Sequence, residues 1–486
     1  MFLFQRGGKF RDMNILGRRK EQDLLQACLE SKRPEFLAVY GRRRTGKTYL
    51  VKEYFRNQFS FYATGVANVS TKEQLEVFGD TLKRFGCREK ARPKNWIEAF
   101  SRMRDILESD NVKRDAYTGK RVVFLDELPW MDTARSDLKT GLDYFWNSWG
   151  STQPDLLLIV CGSASSWIIE NVLNDNGGLY NRVTRQIQLK PFTLHECEEL
   201  CALNGINISR KLLLESYMVF GGIPYYFNML DKRLSIPQNI DNLLINENGE
   251  LHYEYERLFK SLFKKSEIHR TVIDILSNRR YGYTRTEIIE ALGINSGNAL
   301  TSALSELEQC GFIRKYKISA VSKQGFVYQI TDPFILFYHN YVRNMKKESW
   351  VKYINTPGYY AWCGNSFETV CLNHIAQIKN ALGISGVETN EYTWKSRKTT
   401  PGIQIDLIID RADGVINLCE MKYSSDEYVI DSAYEKELFR KMEVYRQETS
   451  TDKSIHITLV TVNGLKKNEY SGVVLNTITA TELFAE

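Results

Sequence analysis

The chain has 486 residues, 43% hydrophobic and 12% aromatic, which is material for packed cores and excludes global disorder. Its 65 Lys and Arg against 59 Asp and Glu leave +6 with the six histidines neutral, only mildly basic. The longest strongly apolar runs, such as Leu156 to Cys161, fall well short of the roughly 18 to 20 residues of a bilayer span, so no integral membrane protein is expected.

The opening MFLFQRGGKFRDMN places Arg6, Lys9 and Arg11 where a secretory apolar core would lie, so export is not expected, and Met13 is a second candidate start. Nine cysteines stand without CxxC pairs or histidines at zinc-ligand spacing. Buried thiols in a reducing cytoplasm are the expectation, Cys197 and Cys201 included. From Asn14 to about Met229 short β-rich runs alternate with helical stretches: Glu35 to Tyr40, Ser60 to Ala63, Val122 to Asp126, Leu156 to Cys161 and Val183 to Leu189. That rhythm predicts a parallel sheet with crossover helices.

Between about Leu230 and Phe259 the pattern turns polar, with SIPQNIDN and NENGE, and reads as a helical connection. Residues 262–330 give three helical segments and then strand-like runs at Phe312 to Ile318 and Phe326 to Thr331, the order of a winged helix-turn-helix. From Asp332 onward, helices near 334–344 and 364–380 precede a hairpin pattern at 402–423, a long helix near 430–447 and a strand at 455–462. This is a second, smaller α/β unit.

Gly41-Arg42-Arg43-Arg44-Thr45-Gly46-Lys47-Thr48 matches GxxxxGK[ST] and lies between the apolar run FLAVY and the helical run YLVKEYF, the context the motif requires. Backbone N–H groups and the helix N-terminus would face the phosphates, Lys47 would reach the β and γ phosphates, and Thr48 would give a hydroxyl to Mg2+. A second apolar run, from Arg121, ends in Asp126 and Glu127, which suits Asp126 to orient the metal and Glu127 to polarise water. Leu156 to Cys161 runs into Gly162 and Ser163, so Ser163 is placed to sense the γ-phosphate. Arg182 and Arg185 precede a further strand, where either could reach a nucleotide in this subunit or a neighbour; solvated surface arginines are the alternative.

With Leu16-Gly17-Arg18-Arg19-Lys20-Glu21, FLDELPW, GSASSW and Gly221-Gly222-Ile223-Pro224 in the same order along the chain, the sequence resembles the archaeal-type ATPase family within the AAA-like, STAND-related P-loop NTPases. The resemblance implies a P-loop sheet with a helical lid, Gly17 and Arg18 on the base side of ATP, and Pro224 in the lid. It also admits a homo-oligomer.

In the middle module, Thr284 to Leu292 and Asn298 to Leu307 are two short helical stretches around Gly293 to Gly297. If this module grips DNA, Arg314, Lys315, Lys317 and Lys323 would meet phosphates, yet the candidate recognition helix ALTSALSELEQ carries acids and no Lys or Arg. A spacer or protein-interaction role stands beside DNA binding.

Gly402 to Ile409 and Val415 to Lys422 flank Ala412-Asp413-Gly414, a good three-residue hairpin connection. A turn centred on Asp413 sets Asp406 opposite Glu420, and Glu420 and Lys422 share a strand face. Two carboxylates suit Mg2+ or Mn2+, the lysine suits water activation, and Glu368 on the helix GNSFETVCLNHI is a third oxygen candidate. Alternating charge on a solvated hairpin is the competing explanation. The pattern resembles the PD-(D/E)xK nuclease superfamily with Ile405 in place of its proline. With Asp332-Pro333-Phe334 it also resembles the nuclease-like domain that often follows archaeal-type ATPase domains. His374, without a second histidine at ligand spacing, has no assigned role.

The expected architecture is therefore α/β throughout. A P-loop NTPase domain with lid spans residues 14–235, a helical connection 236–261, a winged helix 262–331 and a small restriction-endonuclease-like domain 332–486. The expected function is ATP hydrolysis controlling a metal-dependent nuclease on nucleic acid, DNA ahead of RNA. A nucleotide-dependent switch that binds a partner or DNA without cutting is the alternative, and a transcription regulator ranks last.

Overall fold

The computed structural model describes residues 15–163, 165–174, 179, 181–263, 266–294, 297–317, 326–343, 349–396 and 402–486. Expectations that fall on residues 1–14, Tyr180, Asn295, Ser296 and Lys323 lie outside the described residues. The chain forms two compact units that divide between Lys190 and Pro191. Pro224, expected in the lid of the first domain, lies in the second unit, which begins at Pro191.

In the first unit, β1 (Glu35–Tyr40), β2 (Phe61–Thr64), β3 (Arg121–Asp126), β4 (Leu156–Gly162) and β5 (Arg185–Gln188) form one sheet in the order β2-β3-β4-β1-β5. All its pairings are parallel. The three inner strands, EFLAVY, RVVFLD and LLLIVCG, are buried at every position, as a sheet covered on both faces demands. Their alternate residues divide between two cores. Phe36, Ala38, Val123, Leu125, Leu158 and Val160 pack with Trp96, Phe100 and Trp146. Leu37, Val39, Val122, Phe124, Leu157 and Ile159 pack with Leu25, Leu50 and Tyr54 on the other face. The last strand is shorter than the Val183 to Leu189 expected, because Thr184 and Leu189 only extend the ladder by single backbone bonds to Phe36 and Tyr40.

The second unit opens with helices Leu194–Leu203, Arg210–Phe220 and Pro224–Phe227, followed by the expected helical connection, Ile236–Ile240 and Glu254–Leu262 among its turns. Helices Glu267–Ser277, Arg285–Leu292 and Asn298–Gln309 then surround an antiparallel sheet of β6 (Tyr283–Thr284), β7 (Ile313–Lys317) and β8 (Phe326–Ile330), in the order β6-β8-β7.

The last part carries β9 (Thr389–Lys395), β10 (Gln404–Arg411), β11 (Val415–Lys422), β12 (Ser454–Thr461) and β13 (Val474–Ile478) in the order β13-β12-β11-β10-β9. β9, β10 and β11 are antiparallel neighbours, whereas β11, β12 and β13 run parallel. A parallel step needs a crossover, which helix Ser432–Thr449 supplies between β11 and β12. The helix expected near 364–380 is two helices, Pro357–Asn373 and Ile375–Ala381, interrupted at His374. Neither β9 nor β13 was foreseen, since TNEYTWK is largely polar and VLNTI is only five residues long.

Candidate functional site

Strand β1 delivers the phosphate loop at its C-terminal end, and helix Lys47–Tyr54 starts directly after it. Gly41, Arg44 and Gly46 take positive φ of 139, 70 and 91 degrees, which curls the loop tightly. Thr45 Oγ1 donates to Arg42 O at 2.8 Å, and Lys47 Nζ donates to Gly41 O at 2.9 Å and Arg42 O at 2.8 Å. The buried lysine is therefore drawn across its own loop. Arg18, with left-handed backbone beside Gly17, reaches Thr45 O with Nη2 at 3.4 Å, so the GRxxE segment touches the loop. Arg42 is buried with Nη1 on Arg43 O, and Arg43 and Arg44 are half-buried.

Strand β4 separates β1 from β3, yet the ends of all three meet at one sheet edge. Thr48 Oγ1 lies 3.0 Å from both carboxylate oxygens of Asp126. Burial, and then the neighbouring Glu127 charge, push the Asp126 carboxyl up. Glu127 sits in left-handed backbone at φ 46 degrees, which turns its side chain toward the end of β4. There its carboxylate accepts from Ser163 Oγ at 3.0 and 2.9 Å and from Ser163 N at 3.2 Å. A hydroxyl against a buried acid, beside a second acid, is a donor set suited to a hard cation shared with phosphate oxygens. Arg182 and Arg185 are exposed, and Pro224 opens the helix Pro224–Phe227 in the second unit.

The second constellation lies in the second unit. The hairpin register runs from Asp410 opposite Ile416 to Leu407 opposite Cys419, which centres the turn on Asp413 as expected. One residue beyond the ladder Asp406 Oδ2 accepts from Met421 N at 3.1 Å. Glu420, only 2% exposed in its side chain, accepts from Lys441 Nζ at 2.8 Å on both oxygens and from Tyr434 OH at 3.3 Å. Lys422 Nζ stands 3.9 Å from Glu420 and over the Tyr434 ring. Glu368, on helix Pro357–Asn373, pairs with Arg280 Nη2 at 2.9 Å.

Burial and the Asp406 charge push the Glu368 carboxyl up to about 8 and that of Glu420 up to about 7, against the pull of the cations. The electrostatics thus tie Glu368, Asp406, Glu420 and Lys422 into one neighbourhood. However, among the described residues no group of three or more His, Cys, Asp or Glu side chains is disposed to hold a metal ion. The expected ligand set does not fit a metal as it stands, because Arg280 and Lys441 already occupy Glu368 and Glu420.

Sequence reasoning missed Arg280 and Lys441, and it gave His374 no role. Lys441 had a legible signal: Leu438, Lys441 and Tyr445 are spaced three and four apart, which sets a lysine on the buried stripe of its helix. His374 is buried, with Nδ1 on Val370 O at 2.8 Å and Nε2 accepting from Leu194 N at 3.1 Å, so it caps a helix remote in sequence. In the middle module Arg314 donates to Gln329 at 2.8 Å, Lys315 lies over the Phe326 ring, and Glu306 of the helix Asn298–Gln309 pairs with His269 at 2.9 Å.

Residues 16–230 match the family model described as the ATPase domain predominantly from Archaea. An uncharacterized protein of Methanocaldococcus jannaschii is 26% identical over 332 residues, 68% of this chain and 69% of that relative. Among solved structures, the Walker-type ATPase of Pyrococcus abyssi is 16% identical at a TM-score of 0.48, covering 67% of this chain and 96% of that one. A STAND protein with a tetratricopeptide repeat sensor from Pyrococcus horikoshii is 13% identical at a TM-score of 0.32, covering 77% and 52%. The chain carries an archaeal-type ATPase domain of the P-loop kind. Among the described residues no helix is long and apolar enough to cross a membrane.

Proposed function

We propose that the ATPase domain at residues 16–230 binds ATP with Mg2+ and hydrolyses it, and that this cycle controls a nuclease-like site in residues 332–486 acting on nucleic acid, DNA ahead of RNA. The observation that carries the first part is the meeting of Thr48 with Asp126 and of Ser163 with Glu127 at one end of the sheet, beside the loop that holds Lys47. On this reading the loop N–H groups receive the phosphates, and Lys47 exchanges its loop carbonyls for phosphate oxygens. Thr48 and Asp126 would hold Mg2+, which would supply positive charge against that developing on the phosphate oxygens. Glu127 accepts the proton of the attacking water as the bond from the γ-phosphorus to the bridging oxygen breaks, leaving ADP and inorganic phosphate. Ser163 shares its hydroxyl between Glu127 and the γ-phosphate, Gly17 and Arg18 serve the base side, and Arg182 is the exposed cation offered to the phosphates or to a neighbouring copy.

The test is ATP turnover of the full chain beside two variants. Glu127→Gln should bind ATP and lose about 10²- to 10⁴-fold in turnover, the usual worth of a positioned base, while Lys47→Ala should lose binding as well. Turnover undiminished in Glu127→Gln would sink the assignment.

For the second unit, support comes from the helix order and antiparallel sheet of residues 262–331, read as a winged helix, and from the mixed sheet whose β10 and β11 carry Asp406, Glu420 and Lys422, with Glu368 of helix Pro357–Asn373 in electrostatic reach. A second reading, a nucleotide-dependent switch that binds DNA or a partner without cutting, is favoured by the pairing of Glu368 with Arg280 and of Glu420 with Lys441. Incubation with supercoiled and single-stranded DNA, ATP and Mg2+ or Mn2+ separates them. Cutting that disappears in Asp406→Ala supports the nuclease, and ATP turnover without cutting supports the switch.

A further inference from the structure

Glu127 holds left-handed backbone, which a residue other than glycine keeps only where its surroundings enforce it. The enforcement comes from the strands on either side of β3. On one side β2 ends at Thr64, opposite Asp126, and Gly65 N donates to Asp126 O at 2.9 Å. A Cβ at Gly65 would stand 2.5 Å from Glu127 O and 3.0 Å from both Met131 N and Trp130 Cβ. On the other side a Cβ at Gly162, the last residue of β4, would stand 2.5 Å from Pro129 Cδ. The turn at 127–131 is therefore seated between two strand ends that glycine leaves open.

One side chain latches this seat. Helix Thr71–Arg84 buries Leu75, Phe78 and Leu82, and Gln74 joins that face with only 2% of it exposed. A buried amide must find hydrogen-bond partners, and Gln74 finds all of its own on backbone. Its Nε2 donates to Val66 O at 2.5 Å and to Trp130 O at 2.7 Å, and its Oε1 accepts from Val66 N at 3.2 Å. Trp130 N in turn donates to Glu127 O at 2.9 Å. Two hydrogen bonds in series, through Trp130, thus connect Gln74 to the peptide of Glu127.

We propose that Gln74 and Gly65 are positioning residues for ATP hydrolysis, fixing the left-handed turn that aims the Glu127 carboxylate at Ser163. This rests on the reading of Glu127 as the base. A base must lie within hydrogen-bond reach of the proton it takes, and a misplacement of about 1 Å costs about 10²-fold in rate.

The experiment measures kcat and KM for ATP on the full chain, with Gln74→Met and Gly65→Ala each made in the wild type and in Glu127→Gln. Gln74→Met removes the amide at similar side-chain length, and Gly65→Ala displaces the turn with Gln74 in place, so the two reach one carboxylate by independent routes. Each should lower kcat about 10- to 100-fold, with KM within about twofold of the wild type. In Glu127→Gln each should change kcat by less than about twofold, because residues that act through one group are not additive. Phe78→Leu loosens the same helix at its contacts with Trp96 and Phe100 and should leave kcat unaltered. Unchanged kcat in both variants, equal losses in the two backgrounds, a rise in KM alone, or a matching fall of kcat in Phe78→Leu would each reduce Gln74 and Gly65 to packing and overturn the proposal. Undiminished turnover in Glu127→Gln by itself removes the base, and the positioning with it.

Discussion

The two glycines that bound the phosphate loop offer a sharp comparison, because the same substitution meets different surroundings at each. At Gly41 a Cβ would stand 2.3 Å from Leu189 O and 3.1 Å from Leu189 N, with φ at +139 degrees. Leu189 cannot retreat, since its N–H is bound to Tyr40 O at 2.7 Å in continuation of the sheet. At Gly46, φ is +91 degrees but nothing lies within 4 Å of the added atom. Backbone strain costs both alanines about 1–3 kcal/mol, and overlap with fixed backbone adds about 1–3 kcal/mol at Gly41 alone. At about 2–4 °C per kcal/mol for a unit of this size, Gly41→Ala should lower the melting transition by roughly 10 °C and Gly46→Ala by roughly half as much. Differential scanning calorimetry of the full chain reads this in the transition that ATP shifts. Equal losses at the two positions would refute the packing argument, since strain alone would then account for both.

Ser163→Ala removes one of the hydrogen bonds that orient the Glu127 carboxylate, so kcat for ATP should fall about 10- to 100-fold, the worth of a hydrogen bond to a charged group, with ATP affinity nearly unchanged. Steady-state turnover with a binding titration decides it; a loss of affinity with unaltered kcat would contradict the role. His374 is pushed down from 6.5 to about 4 by burial, so between those values the unfolded chain binds a proton that the folded chain refuses. Stability is therefore lost as pH falls, by about 2 kcal/mol between pH 6.5 and pH 5, and urea midpoints of His374→Gln should be flatter over that range. Lys441→Met leaves Glu420 buried beside Asp406 without its cation and should cost roughly 3 kcal/mol. Adding Glu420→Gln should recover at least half of that loss in the same urea measurement.

The first unit was legible because its signals are local. An all-apolar run followed by a glycine-bounded loop, and another ending in two acids, encode strand, turn and site within a few residues of each other. The hairpin was equally legible, since the turn at Asp413 fixes its register. What escaped was long-range or polar. β9 is half exposed and carries no apolar alternation strong enough to announce it, and β13 is a short edge strand. Arg280 reaches Glu368 only through the fold of an intervening module, and no spacing rule connects them. The spacing around His374 speaks only to metal binding, whereas its partner is the backbone N–H of Leu194, a donor that leaves no mark in the sequence. The compact units likewise divide at Lys190, a division that involves side chains spread over the whole chain.

The strand order has a consequence for the chain as it leaves the ribosome. β1 pairs with β4 and β5 and with no other strand among those described, and both follow it by more than a hundred residues. A nascent chain that ends before Leu156 therefore holds EFLAVY with neither edge covered, while β2 and β3 can already pair. A wholly apolar strand with open edges is an invitation to intermolecular pairing. Truncated forms of the first unit should accordingly collect with holding chaperones or in inclusion bodies. The ability to retain nucleotide should arise abruptly once β4 is threaded between β1 and β3, because that single insertion joins the strands already made and brings Thr48, Asp126, Glu127 and Ser163 together at one end of the sheet.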